Sequence, residues 1–310
     1  MKKVTLLING NLVPFYSASL NYSVEQLAHT FSADIPPMSI PSPLPVEFRL
    51  DDKPILIGQI DDTDSSTESS AHKLTITGRS RSANMIDSRI TMDALYNQNV
   101  AKLLTNLSKP FGLSVQSQVG AMPLIDEFQI TAESPVENIA QIIREQGYML
   151  IERNGVLTIE HTAHATIQGI GLQVGKNIES LSIKRSFNKQ FHHTEVQGAW
   201  DDSYAVITNP NVNKQRVMVI ICDQLQNAEA CLSRAKYERD LAIAESLTAT
   251  STIAGVFPAL AIHGLNRVIR VMDEQQSFNE MLVIKALGLE VSESSASTVI
   301  ELFRPFRKQK

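Results

Sequence analysis

The chain has 310 residues, 43% of them hydrophobic and 20% charged, with a mean hydropathy of -0.07 and a formal net charge of -5 at pH 7. That length accommodates two or three domains with ordinary cores, and the composition excludes a disordered or collagen-like polymer. The acidic balance argues against a general nucleic-acid coat, and no apolar run reaches the length needed to cross a bilayer.

The opening MKKVTLLINGN breaks its apolar stretch too early for a signal peptide. Val4–Ile8 followed by Asn9-Gly10 predicts a strand and a tight hairpin, because Asn-Gly supplies the positive φ angles such turns require, with residues 11–17 returning as a second strand. Pro36, Pro37, Pro41, Pro43 and Pro45 predict that no regular element persists over residues 30–45. Val46, Phe48 and Leu50 then alternate with Glu47, Arg49 and Asp51, the period of a strand with one buried face. Asp52, Lys53 and Pro54 are expected to turn the chain into the apolar run 55–60, where Gly58 marks a bulge or a close backbone approach. After a polar loop, Leu74 and Ile76 alternate with Lys73, Thr75 and Thr77 in a third strand, and three such strands in succession predict a small barrel or sandwich.

Over residues 93–107 the period changes: Leu95, Val100, Leu103, Leu104 and Leu107 fall near one helical stripe, ended by Pro110 and Gly112. Residues 113–119 read as a short strand. Ser134-Pro135-Val136-Glu137 carries the residues of a capping box, with Ile139, Ile142 and Ile143 facing inward and Gly147 placed to end the helix. Tyr148–Arg153, Asn154-Gly155 and Val156–His161 form a hairpin, so residues 92–161 read as a small α/β module. Glycines punctuate residues 169–175 as a linker would. Residues 178–187 and 194–200 alternate as strands, Asp201-Asp202 and Asn209-Pro210-Asn211 mark turns, and Val217–Ile221 reads as a buried strand. Asn227 can cap the next helix, with Ala228, Cys231, Leu232, Ala235 and Leu241 near one face. Strands follow over residues 247–253, 267–272, 281–291 and 298–303. The two cysteines, Cys222 and Cys231, fit a reducing compartment and read as small buried apolar residues.

The segment GQIDD, residues 58–62, followed by a Ser/Thr-rich loop and ITGRSRSANMID, residues 76–87, resembles the baseplate hub family of Mu-like contractile-tailed phages and prophages, often called tail protein P. That family shows a G-Y-I-D-D segment and then a serine-glycine-arginine-serine segment ending in aspartate. Gln59 stands where an aromatic is common and Thr77 where serine is common. The closing run NEMLVIKALGLEVSESSASTVIELFRP, residues 279–305, resembles the family's final hairpin, while residues 261–264 replace a usual tryptophan. The resemblance implies a β-rich α+β fold with two small antiparallel β-barrel domains, residues 1–91 and 166–310. A mixed α/β module over residues 92–165 lies between them, and a strand-helix segment is inserted near residues 201–246. No repeat between the two barrels is visible in the sequence itself.

Several side chains invite a chemical reading. His161 and His164 make an HxxH pair and His192-His193 a doublet, yet neighbouring strand residues point to opposite faces and zinc needs convergent ligands. Gly78-Arg79-Ser80-Arg81-Ser82 invites comparison with a nucleophile elbow but lacks its second glycine, and no histidine and acid are identifiably placed to activate Ser80. Asp61, Asp62, Asp64 and Glu68 form an acidic loop without the glycine a calcium loop needs. Arg304, Arg307, Lys308 and Lys310 make a basic tail that reads as a solvated terminus. No catalytic, cofactor-binding or metal residue is assigned, and no enzyme activity is expected.

The resemblance implies a structural hub: a homotrimer forming a ring that joins a six-fold tail tube to a three-fold spike and surrounds the channel for genome passage. Its partners would be the tail tube protein, the central spike protein, the tape-measure protein and baseplate wedge proteins, with transient non-specific passage of DNA and no membrane insertion. The expected place is the virion tail baseplate, assembled in the host cytoplasm. Two alternatives remain: a tail-associated cell-wall hydrolase, which requires paired carboxylates in a cleft, and a spike component of a related secretion system.

Overall fold

The computed structural model describes residues 4–68, 71–146, 148–163, 165–222 and 225–305. The fold is β-rich α+β. Its first region comprises β1 (Val4–Ile8), β2 (Asn11–Val13), β3 (Ser17–Ser23), β4 (Thr30–Ile35), β5 (Pro45–Leu50), β6 (Lys53–Glu68) and β7 (Ala71–Ser80), paired in the order β3-β4-β7-β6-β5-β1-β2. Val46, Phe48, Leu50, Leu74 and Ile76 all point into the core, as their alternation requires. Asn9 and Gly10 take the left-handed backbone of the expected hairpin turn.

Three expectations for this region are corrected. The turn after β5 is Asp51-Asp52, both at positive φ, and Pro54 lies inside β6 facing Arg49 next to a register shift, where a missing N–H is tolerated. The prolines exclude regular structure only from Pro36 onward, so Thr30–Ile35 is free to form β4. The acidic stretch is not a loop: Asp62 to Glu68 continue β6 as a ribbon with β7. Gly58 marks the predicted close approach, since a Cβ there would lie 2.1 Å from the Arg79 carbonyl oxygen.

The middle region comprises α1 (Ala83–Asp87), β8 (Ile90–Asn99), α2 (Val100–Ser108), β9 (Ser114–Ser117), β10 (Leu124–Glu133), α3 (Glu137–Glu145), β11 (Tyr148–Arg153) and β12 (Val156–His161). It has a core of its own around Leu103, Leu104, Leu107, Ile139, Ile143 and Ile159. The helix expected from residue 93 begins only at Val100, capped by the Asn99 side chain, because Leu95 belongs to β8 and faces Phe128 of β10. Ser134 does not close a capping box. Its hydroxyl donates to the Ile86 carbonyl and accepts the Val136 N–H, so it ties α3 to α1 instead. Gly147 lies outside the described residues. The β11–β12 hairpin forms as predicted on Asn154-Gly155.

The last region comprises β13 (Ala165–Thr166), β14 (Leu172–Gln173), β15 (Leu181–Arg185), β16 (His193–Gln197), β17 (Tyr204–Thr208), β18 (Val217–Ile221), α4 (Ala228–Ala244), β19 (Leu247–Ala254), α5 (Pro258–His263), β20 (Arg267–Asp273), β21 (Phe278–Ser292) and β22 (Ala296–Phe303). The glycine-rich passage expected as a linker holds β14, and both β13 and β14 lie parallel to β20. Asn227 caps α4 as expected, accepting the Ala230 N–H. A separate small sheet, ordered β17-β16-β18, packs one face on α4. All other strands of this region join those of the first in one fourteen-stranded sheet, because β21 pairs with β3.

The pairing registers reveal a repeat. The successive hairpins β5-β6-β7 match β20-β21-β22, with β4 beside β7 as β19 lies beside β22, and β3 beside β4 as β15 lies beside β19. Ile60 faces Gly78 and Asp62 faces Thr77 across a bulge at Asp61; Ile284 faces Leu302 and Ala286 faces Glu301 across a bulge at Lys285. Phe31 faces Gly78 where Ala249 faces Leu302, and Leu20 faces Phe31 where Ile183 faces Ala249. Five strands therefore recur in one register. The copies differ in what separates the first two: residues 24–29 between β3 and β4, but residues 186–246, carrying the small sheet and α4, between β15 and β19.

Candidate functional site

The residues that carry the family resemblance build one ion-pair bridge. Arg79 on β7 reaches Asp61 at the β6 bulge at 2.6 Å and Asp87 at the end of α1 at 2.6 Å. Hydrogen bonds to Asp87 and Asp61 raise the Arg79 pKa, and the same contact from Arg79 holds the Asp87 carboxyl below its usual range. Asp61 is thus a structural ion-pair partner, and Asp62 and Asp64 stay on the exposed ribbon.

The histidines do not converge. His161 ends β12 with its ring edge-on to Tyr148, and His164 lies outside the described residues. His192 Nδ1 is 2.9 Å from the Asn209 carbonyl oxygen, whereas His193 Nε2 is 3.4 Å from Glu195. Among the described residues no group of three or more His, Cys, Asp or Glu side chains is arranged to hold a metal ion. Arg304 pairs with Glu280 at 3.2 Å, while Arg307, Lys308 and Lys310 lie outside the described residues.

Ser80 does have a histidine and an acid nearby, which sequence reasoning missed. It is only 2% exposed, and its hydroxyl donates to the Glu152 carboxylate of β11 while accepting the His29 backbone N–H at 2.9 Å. Glu152 also accepts from the Ser82 hydroxyl, the Ser82 N–H at 3.3 Å and the Gly155 N–H at 3.0 Å. The His29 ring is not hydrogen-bonded to Ser80, its Nδ1 having no hydrogen-bond partner among the described residues. Its Nε2 donates to the Glu152 carbonyl oxygen at 2.9 Å, and burial holds the imidazole below its ordinary pKa. The Ser80 hydroxyl proton is held by the Glu152 carboxylate, and a hydroxyl this deeply buried meets no substrate. The arrangement is a latch between the first sheet and the middle module.

A second latch joins that module to the other copy of the repeat. Glu160 on β12 is fully buried and accepts from Arg153 at 2.9 Å, Asn266 at 2.9 Å, and Arg267 of β20 at 2.9 and 3.2 Å. Burial alone would raise this carboxyl, but hydrogen bonds from Arg267 and Arg153, with the Arg153 charge, outweigh it and hold the pKa low. One hairpin therefore carries both buried carboxylates, each fastened to a different copy of the repeated unit.

The surface is where unmet contacts remain. The run VMVII of β18, read as buried from its sequence, has Val217, Val219 and Ile221 exposed at 52%, 52% and 71%. They share a face with Val206 and Tyr204 of β17, the reverse of the face on α4, so the described residues cover this small sheet on one side only. Trp200 beside it is 63% exposed. From Asp62 to Thr67, β6 presents Asp, Thr and Ser to solvent, while Leu74 and Ile76 of the facing β7 stay in the core.

No protein-family model matches the chain. It is 24% identical over 280 residues to the baseplate hub protein gp44 of Escherichia phage Mu, spanning 81% of this chain and 74% of that protein. Among solved structures, the 43 kDa tail protein of prophage MuSo2 from Shewanella oneidensis superposes with a TM-score of 0.86 at 20% identity, covering 98% of both chains. The tail protein from Neisseria meningitidis MC58 gives a TM-score of 0.84 at 16% identity, covering 98% of this chain and 96% of that one. The shared fold and the sequence match over 81% of the chain bear out the resemblance read from residues 58–87 and 279–305: the chain is similar to the baseplate hub protein of phage Mu and to Mu-like prophage tail proteins.

Proposed function

We propose that the chain is the structural hub of a phage tail baseplate and not an enzyme. Three copies form a ring between a six-fold tail tube and a three-fold spike, around a channel that passes DNA and the tape-measure protein. The observation that carries this reading is the repeated five-strand unit. A trimer of a chain that holds two similar units offers six similar surfaces on one side and three on the other, which is what a six-to-three junction requires. On this reading residues 1–91 and 166–310 are the two ring domains and residues 92–165 the module latched between them. The tube, spike and wedge proteins meet its exposed faces, and its place is the virion baseplate, assembled in the host cytoplasm. Burial of Ser80 and Glu152 in a latch weighs against the hydrolase alternative. The solution mass of the purified chain, with electron-microscope views down the particle axis, tests the proposal. A ring of three copies is expected, and a chain that stays monomeric at every concentration sinks it.

A further inference from the structure

The two copies of the repeated unit differ at one edge. In the second copy the outer edge of β21, from Ala286 to Ser292, is covered by β3 of the first copy. The matching part of β6, from Asp62 to Glu68, has no strand on that side among the described residues, and neither has β15, the counterpart of β3. We propose that these two bare edges belong to each other in neighbouring protomers: β6 of one copy pairs antiparallel with β15 of the next, in the register that β21 makes with β3. This inference rests on the ring reading above and names the contact that closes the ring.

The register transfers residue by residue. Within the chain Leu287 faces Tyr22, Gly288 faces Asn21, Leu289 faces Leu20 and Val291 faces Ala18. Their counterparts place Thr63 opposite Arg185, Asp64 opposite Lys184, Ser65 opposite Ile183 and Thr67 opposite Leu181. Asp64 and Lys184 are both exposed, so the transferred register sets opposite charges face to face, with Asp62 diagonal to the same lysine.

The hydrogen-bonding direction agrees. The Ser186 N–H bonds the Ser246 carbonyl of the β19 side at 2.9 Å, so the alternation of an antiparallel ladder turns the main chain of Lys184 and Ser182 toward β19 and that of Ile183 and Arg185 away from it. At the covered junction the Val24 N–H bonds the Lys285 carbonyl at 2.9 Å, which turns Tyr22, Leu20 and Ala18 toward β21. These are the counterparts of Arg185, Ile183 and Leu181. One of the outward acceptors, the Leu181 carbonyl, takes the Gln276 side chain at 3.4 Å and would exchange it for a ladder bond. Here β7 is already backed by β4, so what stays open is the far edge of β6, whose residues from Asp62 to Thr67 are exposed, and a strand from a neighbour would pair its unmatched main-chain groups. The contact joins unlike surfaces head to tail, the type that closes into rings.

Disulfide trapping in the full chain tests the pairing. Asp64 and Lys184 would form a facing pair without mutual main-chain hydrogen bonds, the closer of the two antiparallel geometries. The variant carrying Asp64→Cys and Lys184→Cys is expected to give thiol-reversible covalent dimers and trimers on oxidation, which neither single variant gives, the native Cys222 and Cys231 being buried. Sedimentation of the unmodified chain is read alongside. A trimer without cross-links, or a disulfide closed within one chain, overturns the edge pairing and leaves the ring reading standing; a monomer overturns both. In a second arm, Asp64→Lys and Lys184→Asp are each expected to weaken assembly about tenfold, and the double reversal to restore it. Failure of the double variant to recover assembly counts against the pairing.

Discussion

The two copies of the repeated unit solve one packing problem with opposite side chains. Where the first pairs Phe31 with Gly78, the second pairs Ala249 with Leu302. A Cβ on Gly78 would meet the Phe31 ring at 2.6 Å, whereas the second copy has a small residue where the ring would lie and fills the space from the other strand. What the repeat preserves is therefore the register and the bulge, with the summed volume kept at this one crossing, and not residue identity. This is why no repeat is visible along the chain.

That comparison is broken most severely at the latches. Glu160→Ala leaves Arg153 and Arg267 buried without their carboxylate and is expected to destabilise the chain by about 3–5 kcal/mol in urea unfolding. An unchanged midpoint would mean that the module is not held to the second copy through this group. Gly78→Leu, which imports the second copy's residue into the first, is expected to cost about 2–3 kcal/mol by crowding Phe31 and the Gln59 carbonyl. Adding Phe31→Ala should recover part of that loss, since it rebuilds the Ala249–Leu302 pair. Purely additive losses in the double variant would show that volume is not shared across this crossing.

A smaller effect separates the latches by pH. Burial holds His29 below its ordinary value of 6.5, so the folded state binds fewer protons than the unfolded chain and stability begins to fall as pH drops past that value. Glu160 is also held below its ordinary value, 4.5, so its contribution is intact above that pH and is lost only as pH falls through the lower folded value. Urea midpoints measured from pH 7.5 to 5.5 should therefore decline in the native chain and decline less in His29→Gln, which keeps a donor for the Glu152 carbonyl. The smallest effect on the single chain is expected from Ile183→Pro: its N–H points away from β19, so stability should change by no more than about 1 kcal/mol while assembly is lost. Normal assembly of that variant would show that the β15 edge stays open in the ring.

Much of the fold was legible because one buried face imposes a period. Val46, Phe48 and Leu50, or the hairpin on Asn154-Gly155, are read alike in sequence and structure. Residues 93–99 were misread because their apolar positions fit a helix continuous with α2 as well as they fit β8, and only pairing with β10 decides. The misreading of β18 is of a different kind. Its unbroken apolar run signals burial on both faces, and a single chain covers only one. The latches left a trace that went unused: Glu152 and Glu160 each sit among inward apolar residues of a strand, where a carboxylate persists only with donors waiting for it. The donors come from strands distant in sequence, so no local pattern shows them. Asp61, Arg79 and Asp87 lie in the two segments that carry the family resemblance, and the ion-pair bridge between them is a physical reason for their spacing.

β21 runs for 15 residues and belongs to both halves of the sheet, pairing with β20, β22 and β3 along its length. A joint made this way has no swivel. Force applied to either half loads a row of peptide hydrogen bonds in shear at once, instead of peeling them one at a time, so the two halves would transmit a contraction or a twist as one stiff piece.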